Sequence, residues 1–266
     1  MNNTMSSACS PCFASQSCNT VNWLRHYQNN RLHRTEPEWG VPCLLAPDVR
    51  HELAVSLSHF QLGETGGGTF LLGQASKSSC ADDLAALTLF VREENEHARL
   101  LECMVHRLGG SLVTRHWTHR LFKLARRAGG FHFEIQMLLT AEIIGTAYYE
   151  LLHESVEDGP ISHALGLMLR DEAGHVAFHT DRMRACWHGW LPFERTFWQG
   201  QFQALVLVAL RAAWLDHGRC LRALGFAWED FDQRARRTAI TFLDNLHRET
   251  SAPASPLAPA AVGTGA

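Results

Sequence analysis

The sequence predicts an all-α protein whose core is a four-helix bundle of two helical hairpins, followed by additional C-terminal helices. Apolar residues recur at spacings of three and four, and the alternation of β-branched residues typical of strands is scarce. Two predicted connections are short, whereas roughly 20 residues separate the second helix from the third. Two hairpins joined by one long crossover is a known connectivity of four-helix bundles.

Start and stop signals delimit the predicted helices. The first begins after Pro47 with Asp48 in its first turn, and the second ends at Gly109-Gly110, a frequent C-terminal signal. The crossover 109–129 contains the Arg-rich amphipathic segment "RHWTHRLFKLARRAGG" and is long enough to traverse the bundle. The predicted helices cover residues 48–76, 81–108, 130–157, 161–188, 192–224 and 228–248.

Composition divides the chain into one folded domain and two ends. Residues 1–45 are expected to be a largely disordered leader because their start is rich in Ser, Asn and Thr. The Pro/Ala/Gly-rich residues 251–266 are expected to be a disordered tail. The folded domain is then 46–250, with a helical extension from about 190 to 250. A single CxxC, Cys9 and Cys12, has no matching second pair, which disfavours a zinc or rubredoxin-type iron site there.

The overall composition disfavours several partner classes. The 266 residues carry a net charge of −3, and nothing indicates binding to nucleic acid or to an anionic membrane. The longest apolar run, "ALVLVALRAAWL", contains Arg211 and is too short to span a bilayer. The first residues also lack the features of a secretory signal. We therefore expect a cytoplasmic protein.

An internal duplication carries the functional signal. The segments "LFVREENEH" (89–97) and "LMLRDEAGH" (167–175) match, and 78 residues separate Glu94 from Glu172. The same offset relates Glu64 to Glu142, within segments that also share a glycine and an aromatic position. Two matching pairs at one offset indicate a duplicated helical hairpin.

The duplicated residues form a pattern suited to metal binding. Residues i and i+3 lie on one helix face, so each Glu-x-x-His motif directs a carboxylate and an imidazole to a common point. Four carboxylates and two imidazoles suit two metal ions, most naturally iron, with manganese possible. Without metal, the buried carboxylates would repel one another and lose hydration. The predicted ligands are Glu64, Glu94, His97, Glu142, Glu172 and His175.

With this Glu … ExxH … Glu … ExxH pattern, residues from about 48 to 188 resemble the ferritin-like di-iron carboxylate superfamily. The resemblance implies that Glu94 and Glu142 bridge the two metals. It also implies that Asp171 accepts a hydrogen bond from His97, and Glu93 one from His175, which would orient both rings. The alternative for these two acids is a surface ion pair with a neighbouring arginine.

Three activities of this superfamily are weighed. Oxygenation or oxidation of a small organic substrate by O₂, through a peroxo-di-iron species, is favoured because glycines lie near the ligands and extra helices follow residue 190. Electrons would come from an external ferredoxin or reductase, since no flavin, NAD or iron–sulfur motif is present. A ferroxidase or iron-handling role is the alternative. A rubrerythrin-type role is disfavoured because the double CxxC is absent. The tryptophan-rich C-terminal helices suit a lid or a homodimer surface.

Two further residues are candidate catalytic groups. His179 lies four residues after His175 on the same face, and could be a seventh ligand, a proton donor or a core histidine. Tyr149 is expected to face inward, where it could hydrogen-bond a ligand, be oxidised or simply pack. The other histidines, including His116, His119 and His217, show no ligand spacing. The substrate's identity and the choice between Fe/Fe, Mn/Fe and Mn/Mn stay open.

Overall fold

The computed structural model describes residues 20–65, 68–76, 81–128 and 130–248. These residues are all-α, as predicted, and no strand occurs within them. Their helices are α1 (Thr20–Leu32), α2 (Pro47–Glu64), α3 (Thr69–Ala75), α4 (Ala81–Arg107), α5 (Trp117–Ala128), α6 (Gly130–Ser155), α7 (Gly159–Trp187), α8 (Pro192–Ala223) and α9 (Trp228–His247).

Two antiparallel helix pairs form the centre of the structure. Helix α2 packs along α4, and the start of α2 meets the end of α4, where a Cβ on Gly110 would lie 2.7 Å from the Ala54 Cβ. Helix α6 packs along α7, with His153 near the end of α6 against Gly166 near the start of α7. A short connection joins α6 to α7, whereas α3 lies between α2 and α4. The two pairs meet where α4 faces α7.

The helix ends are held by the signals that the sequence contains. Helix α4 ends at Arg107, and Gly109 follows with a φ of +78°, a conformation that glycine adopts without steric cost. At the start of α7, the Asp158 carboxylate accepts a hydrogen bond from the Ile161 amide. Arg107 donates to both oxygens of Asp158, each at 2.8 Å. This contact fastens the end of α4 to the α6–α7 connection.

The C-terminal helices complete the core of the chain. Helices α8 and α9 pack on α6, while α8 also contacts α2 and α9 contacts α7. Trp187 and Trp198 are buried, with ring centroids 5.9 Å apart. These two tryptophans therefore fill the interior and are not available to a dimer surface, while the lid role of the C-terminal helices stays a prediction.

The long crossover contains helix α5. It contacts α6 and, at its beginning, α2 and α8, whereas its apolar residues Leu121 and Leu124 are exposed. Among the described residues, no helix is both long and apolar enough to cross a membrane.

The first predicted helix is interrupted, which corrects the range 48–76. Helix α2 ends at Glu64, and α3 begins at Thr69. Gly68, between them, has a φ of +56°, and a Cβ there would lie 2.4 Å from the Val91 Cγ2. Gly66 and Gly67 lie outside the described residues. Gly68 therefore serves a turn that approaches α4 closely, and it does not lie in the middle of a helix as expected.

The prediction of a disordered leader over 1–45 is wrong from residue 20 onwards; residues 1–19, like the predicted tail 251–266, lie outside the described part. Helix α1 packs on α4, and Tyr27 on it is 1% exposed. The Trp23 ring lies edge-on against Phe178, and its Nε1 donates to Asp181 at 2.9 Å. Aromatic residues four apart give α1 one apolar face, which the polar average composition of the leader obscured.

The close approach at Gly68 generates a stability prediction. Gly68→Ala should lower the free energy of unfolding by about 1–3 kcal/mol, because the positive φ and the contact with Val91 both oppose a side chain. Gly63→Ala is the matched control, since Gly63 lies in α2 with nothing within 4 Å of an added Cβ. It should leave stability unchanged or raise it by up to about 1 kcal/mol. Urea unfolding of both variants checks this, and equal effects would contradict it.

Candidate metal centre

Four helices bring the six predicted ligands into one buried cluster. Glu64 ends α2, Glu94 and His97 lie on α4, Glu142 lies on α6, and Glu172 and His175 lie on α7. Each helix contributes the face that packs towards the other pair, so the acids meet between the pairs. Three subsets of the cluster have ligand atoms within 4.8 Å of one another: Glu94–His97–His175, Glu64–His97–Glu172 and Glu142–Glu172–His175.

The two imidazole rings are held in equivalent orientations. The Nε2 of His97 lies 3.3 Å from Asp171 Oδ2, and the Nε2 of His175 lies 3.2 Å from Glu93 Oε2. Each ring thus contacts the acid that precedes the glutamate of the opposite motif, in the arrangement expected from the sequence. A carboxylate acceptor at Nε2 favours the tautomer whose lone pair is on Nδ1. Both Nδ1 atoms point into the cluster.

The inward-facing atoms lack hydrogen-bond partners in the structure. They are His97 Nδ1, His175 Nδ1, Glu94 Oε1 and Glu172 Oε2, all buried. The His175 Nδ1 approaches Glu94 Oε1 to 2.8 Å without the angular geometry of a hydrogen bond. Buried polar atoms are almost always paired, so a convergent set of unpaired nitrogen and oxygen atoms fits a bound metal ion.

Glu172 occupies the central position among the carboxylates. Its Oε1 lies 3.3 Å from His97 Nδ1 and its Oε2 lies 3.6 Å from His175 Nδ1. Glu142 contacts His175 at 3.6 Å and belongs to the group on that side only. The arrangement therefore places Glu172, and not Glu142, beside both histidines, while the bridging role implied for Glu142 stays a prediction. Glu94 shares a group with both histidines and keeps the position expected of it.

Burial and mutual repulsion perturb the acids strongly. Burial, reinforced by the charge of Glu172, raises the pKa of Glu142 to about 7, and burial beside Glu94 raises the pKa of Glu64 well above its usual value. Burial also opposes ionisation of Glu172, but contacts from His175 and His97 outweigh it and lower that pKa to about 2. Although burial disfavours their charged forms, the surrounding acids raise the pKa of both histidines. The cluster therefore stabilises positively charged groups placed within it.

The two candidate catalytic residues lie at the edge of the cluster. Tyr149 is fully buried and donates to Glu64 Oε1 at 3.1 Å. The His179 Nε2 lies 3.8 Å from Glu142 Oε1, and neither of its ring nitrogens has a hydrogen-bond partner. Burial lowers the pKa of His179 to about 4. The ring of Phe90 covers both His179 and His175, with centroids 5.4 and 4.6 Å away.

The N-terminal segment contributes residues that the sequence analysis missed. The Arg34 guanidinium donates to Asp171, on the oxygen that faces His97. Tyr27 is buried with an unpartnered hydroxyl, and its ring centroid lies 6.4 Å from that of His175. His26 fills the space over Gly174, where a Cβ would lie 2.6 Å from its Nε2. The absence of a side chain at Gly174 therefore allows α1 to pack closely, and the space is not a substrate cavity. The aromatic pair four residues apart in α1 was the available signal.

A second group of possible ligands was also missed. His59 on α2 and the adjacent Asp216 and His217 on α8 offer ligand atoms within 4.8 Å of one another. These residues have no common spacing in the sequence, because packing of α2 against α8 brings them together. His217, which shows no ligand spacing in the sequence, therefore lies beside two other possible metal ligands.

Comparisons with known proteins do not identify the chain: no family model, no curated protein and no solved structure matches it.

Proposed function

We propose that the protein is a ferritin-like di-iron oxidoreductase that uses O₂ to oxidise or oxygenate a small organic substrate. The observation that carries the proposal is the pair of inward-facing imidazoles, each oriented by an acid of the opposite motif and surrounded by four glutamates. Single Glu-x-x-His motifs occur on many helices. Two such motifs with reciprocal outer acids are far more specific.

The donor set determines which metals suit the centre. Carboxylate oxygens with imidazole nitrogens favour Fe(II) or Mn(II) over the softer metals that bind cysteine. His97 with Glu64 would serve one ion and His175 with Glu142 the other, while Glu94 and Glu172 lie between them. Two ferrous ions would supply the electrons and the open coordination positions that O₂ reduction needs.

The protein's own residues would orient the ligands and exclude water. Asp171 and Glu93 hold both rings, and Tyr149 fixes one oxygen of Glu64. Phe90 covers the His175 ring with apolar surface, and Phe178 stacks on Phe90. His179 lies beside Glu142 with neither ring nitrogen hydrogen-bonded, and we assign it to positioning or proton transfer. Reducing equivalents would come from an external ferredoxin or reductase.

Removing two central carboxylates tests the ligand assignment. Glu94→Ala/Glu172→Ala should reduce bound iron or manganese from two ions per chain to none, because both acids lie between the histidines. Glu96→Ala is the matched control, since Glu96 pairs with Arg99 on the same helix and lies outside the cluster. Elemental analysis after anaerobic loading measures the metal. The isosteric Glu94→Gln/Glu172→Gln variant keeps the packing volume, and two ions retained by it would refute the assignment.

Two adjacent tyrosines allow a matched test of the cluster's edge. Tyr149→Phe removes the donor to Glu64 and should weaken metal binding about three- to tenfold, the value of one hydrogen bond. Tyr148→Phe is equally buried but loses contacts to Ser56 and Cys220, so metal affinity at this centre should not change. Competition with a chelator measures both affinities. Equal effects would show that Tyr149 acts only through packing.

Reaction with O₂ separates the proposed function from the iron-handling alternative. Stopped-flow mixing of the Fe(II)-loaded protein with O₂ should oxidise about two irons per chain and then stop until a reductant is added. Continued uptake of iron by a large hollow assembly, seen by gel filtration, would instead favour a ferroxidase. Absence of any O₂-dependent oxidation would refute both.

A further inference from the structure

A polar cluster outside the proposed di-iron centre joins the crossover to α2 and α8. The Asp216 carboxylate lies at its middle, with Oδ1 2.9 Å from His59 Nδ1 and Oδ2 3.7 Å from His217 Nε2. The His116 ring stacks on His59 with centroids 3.8 Å apart. The Asp216 and His217 side chains are 4% and 8% exposed, and His59 is 14% exposed. The cluster is therefore enclosed on the protein side and open to solvent near His59.

Neighbouring groups prepare His217 as a ligand. Its Nδ1 lies 2.9 Å from Ser56 Oγ, which also contacts the Tyr148 hydroxyl. This contact occupies Nδ1 and leaves Nε2 directed towards Asp216, the side on which His59 lies. Metal ligands of this type are neutral imidazoles whose second nitrogen is hydrogen-bonded.

We propose that His59, Asp216 and His217 form a mononuclear site for a divalent transition-metal ion, with Zn²⁺ as the best-suited ion. Two imidazoles and one carboxylate are a donor set that zinc accepts, with water in the fourth position. His116 is not assigned as a ligand. The Thr118 hydroxyl donates to Asp216 Oδ2, so its oxygen accepts from His116 Nδ1 at 2.8 Å, and that nitrogen is occupied.

Such an ion would have a structural consequence for the crossover. Asp216 on α8 accepts a hydrogen bond from Thr118 at the start of α5. It also contacts His59 on α2. An ion held by α2 and α8 would therefore fix the carboxylate that anchors α5. The competing explanation is a hydrogen-bond network in which His59 and Thr118 satisfy the Asp216 carboxylate without a metal ion. The two explanations differ in whether the cluster binds metal with a defined stoichiometry.

Metal titration of the full chain tests the site apart from the di-iron centre. The metal-free Glu94→Ala/Glu172→Ala variant should bind one equivalent of Zn²⁺, and Co²⁺ in its place should give the visible absorption of a four-coordinate ion. Adding His217→Ala or Asp216→Asn should weaken Zn²⁺ binding by more than about 100-fold. This loss is larger than the one expected when a residue that only hydrogen-bonds a ligand is replaced. Binding of no metal, or binding that survives these substitutions, would overturn the proposal.

A second experiment distinguishes loss of the zinc site from misfolding and from zinc binding elsewhere in the chain. In an otherwise wild-type chain, His59→Ala/His217→Ala should lose the zinc equivalent and keep both irons at the di-iron centre. His51→Ala is the matched control, because His51 is an exposed histidine on the same helix α2. Zinc retained by His59→Ala/His217→Ala would place the ion elsewhere, for example at the N-terminal cysteines, and would refute the site. The two proposals can fail separately. Absence of one bound Zn²⁺ per chain refutes the zinc site, and absence of two bound irons per chain refutes the di-iron centre.

Discussion

The convergence of four glutamates between two helix pairs, with Glu142 and Glu172 buried and the other two partly buried, is the constraint on which the structure depends. Ionised carboxylates lose hydration in such a position and repel one another, and a protein tolerates them only with compensating positive charge. Within the chain that charge comes from His97 and His175, whose pKa values the acids raise. Glu142 and Glu64 are driven towards their neutral forms instead. Two divalent cations would satisfy all six side chains at once, so the cluster's own electrostatics favour metal.

Fixing the ligands requires a second layer of residues, and the N-terminal segment belongs to it. Asp171 holds His97 and is itself fully buried, so it needs further donors. Arg34, which lies in the segment between α1 and α2, donates a hydrogen bond to Asp171 Oδ2. Arg170 donates another to Asp171 Oδ1 at 3.1 Å. Burial opposes ionisation of Asp171, but His97 and Arg34 outweigh it and lower the pKa of this carboxyl. Residues 23–34 thus pack over the cluster and also help to orient the His97 ring.

Features that depend on local periodicity were predictable, and features that arise from distant contacts were not. Glu94, His97, Glu172 and His175 could be found because the motif and its duplication lie in contiguous helices. The interruption after Glu64 was missed because consecutive glycines were interpreted within a helix, whereas Gly68 adopts a turn conformation against Val91. Helix α1 was missed because composition was averaged over a polar leader. The cluster around Asp216 joins residues some 160 positions apart along the chain, such as His59, a relation that spacing cannot show.

Within the two Glu-x-x-His motifs, the position before each histidine differs in charge and size, and this difference explains how the N-terminal segment is accommodated. Glu96 and Gly174 are equivalent by the 78-residue offset, yet neither is a ligand. Glu96 binds Arg99, which also holds Glu36 at 2.6 Å, so this half ties down the end of the N-terminal segment. Gly174 leaves the space that His26 fills, so the other half receives α1. The glutamate and histidine positions of the motif thus have equivalent surroundings in both halves, whereas its variable position differs because a single asymmetric segment packs over both halves.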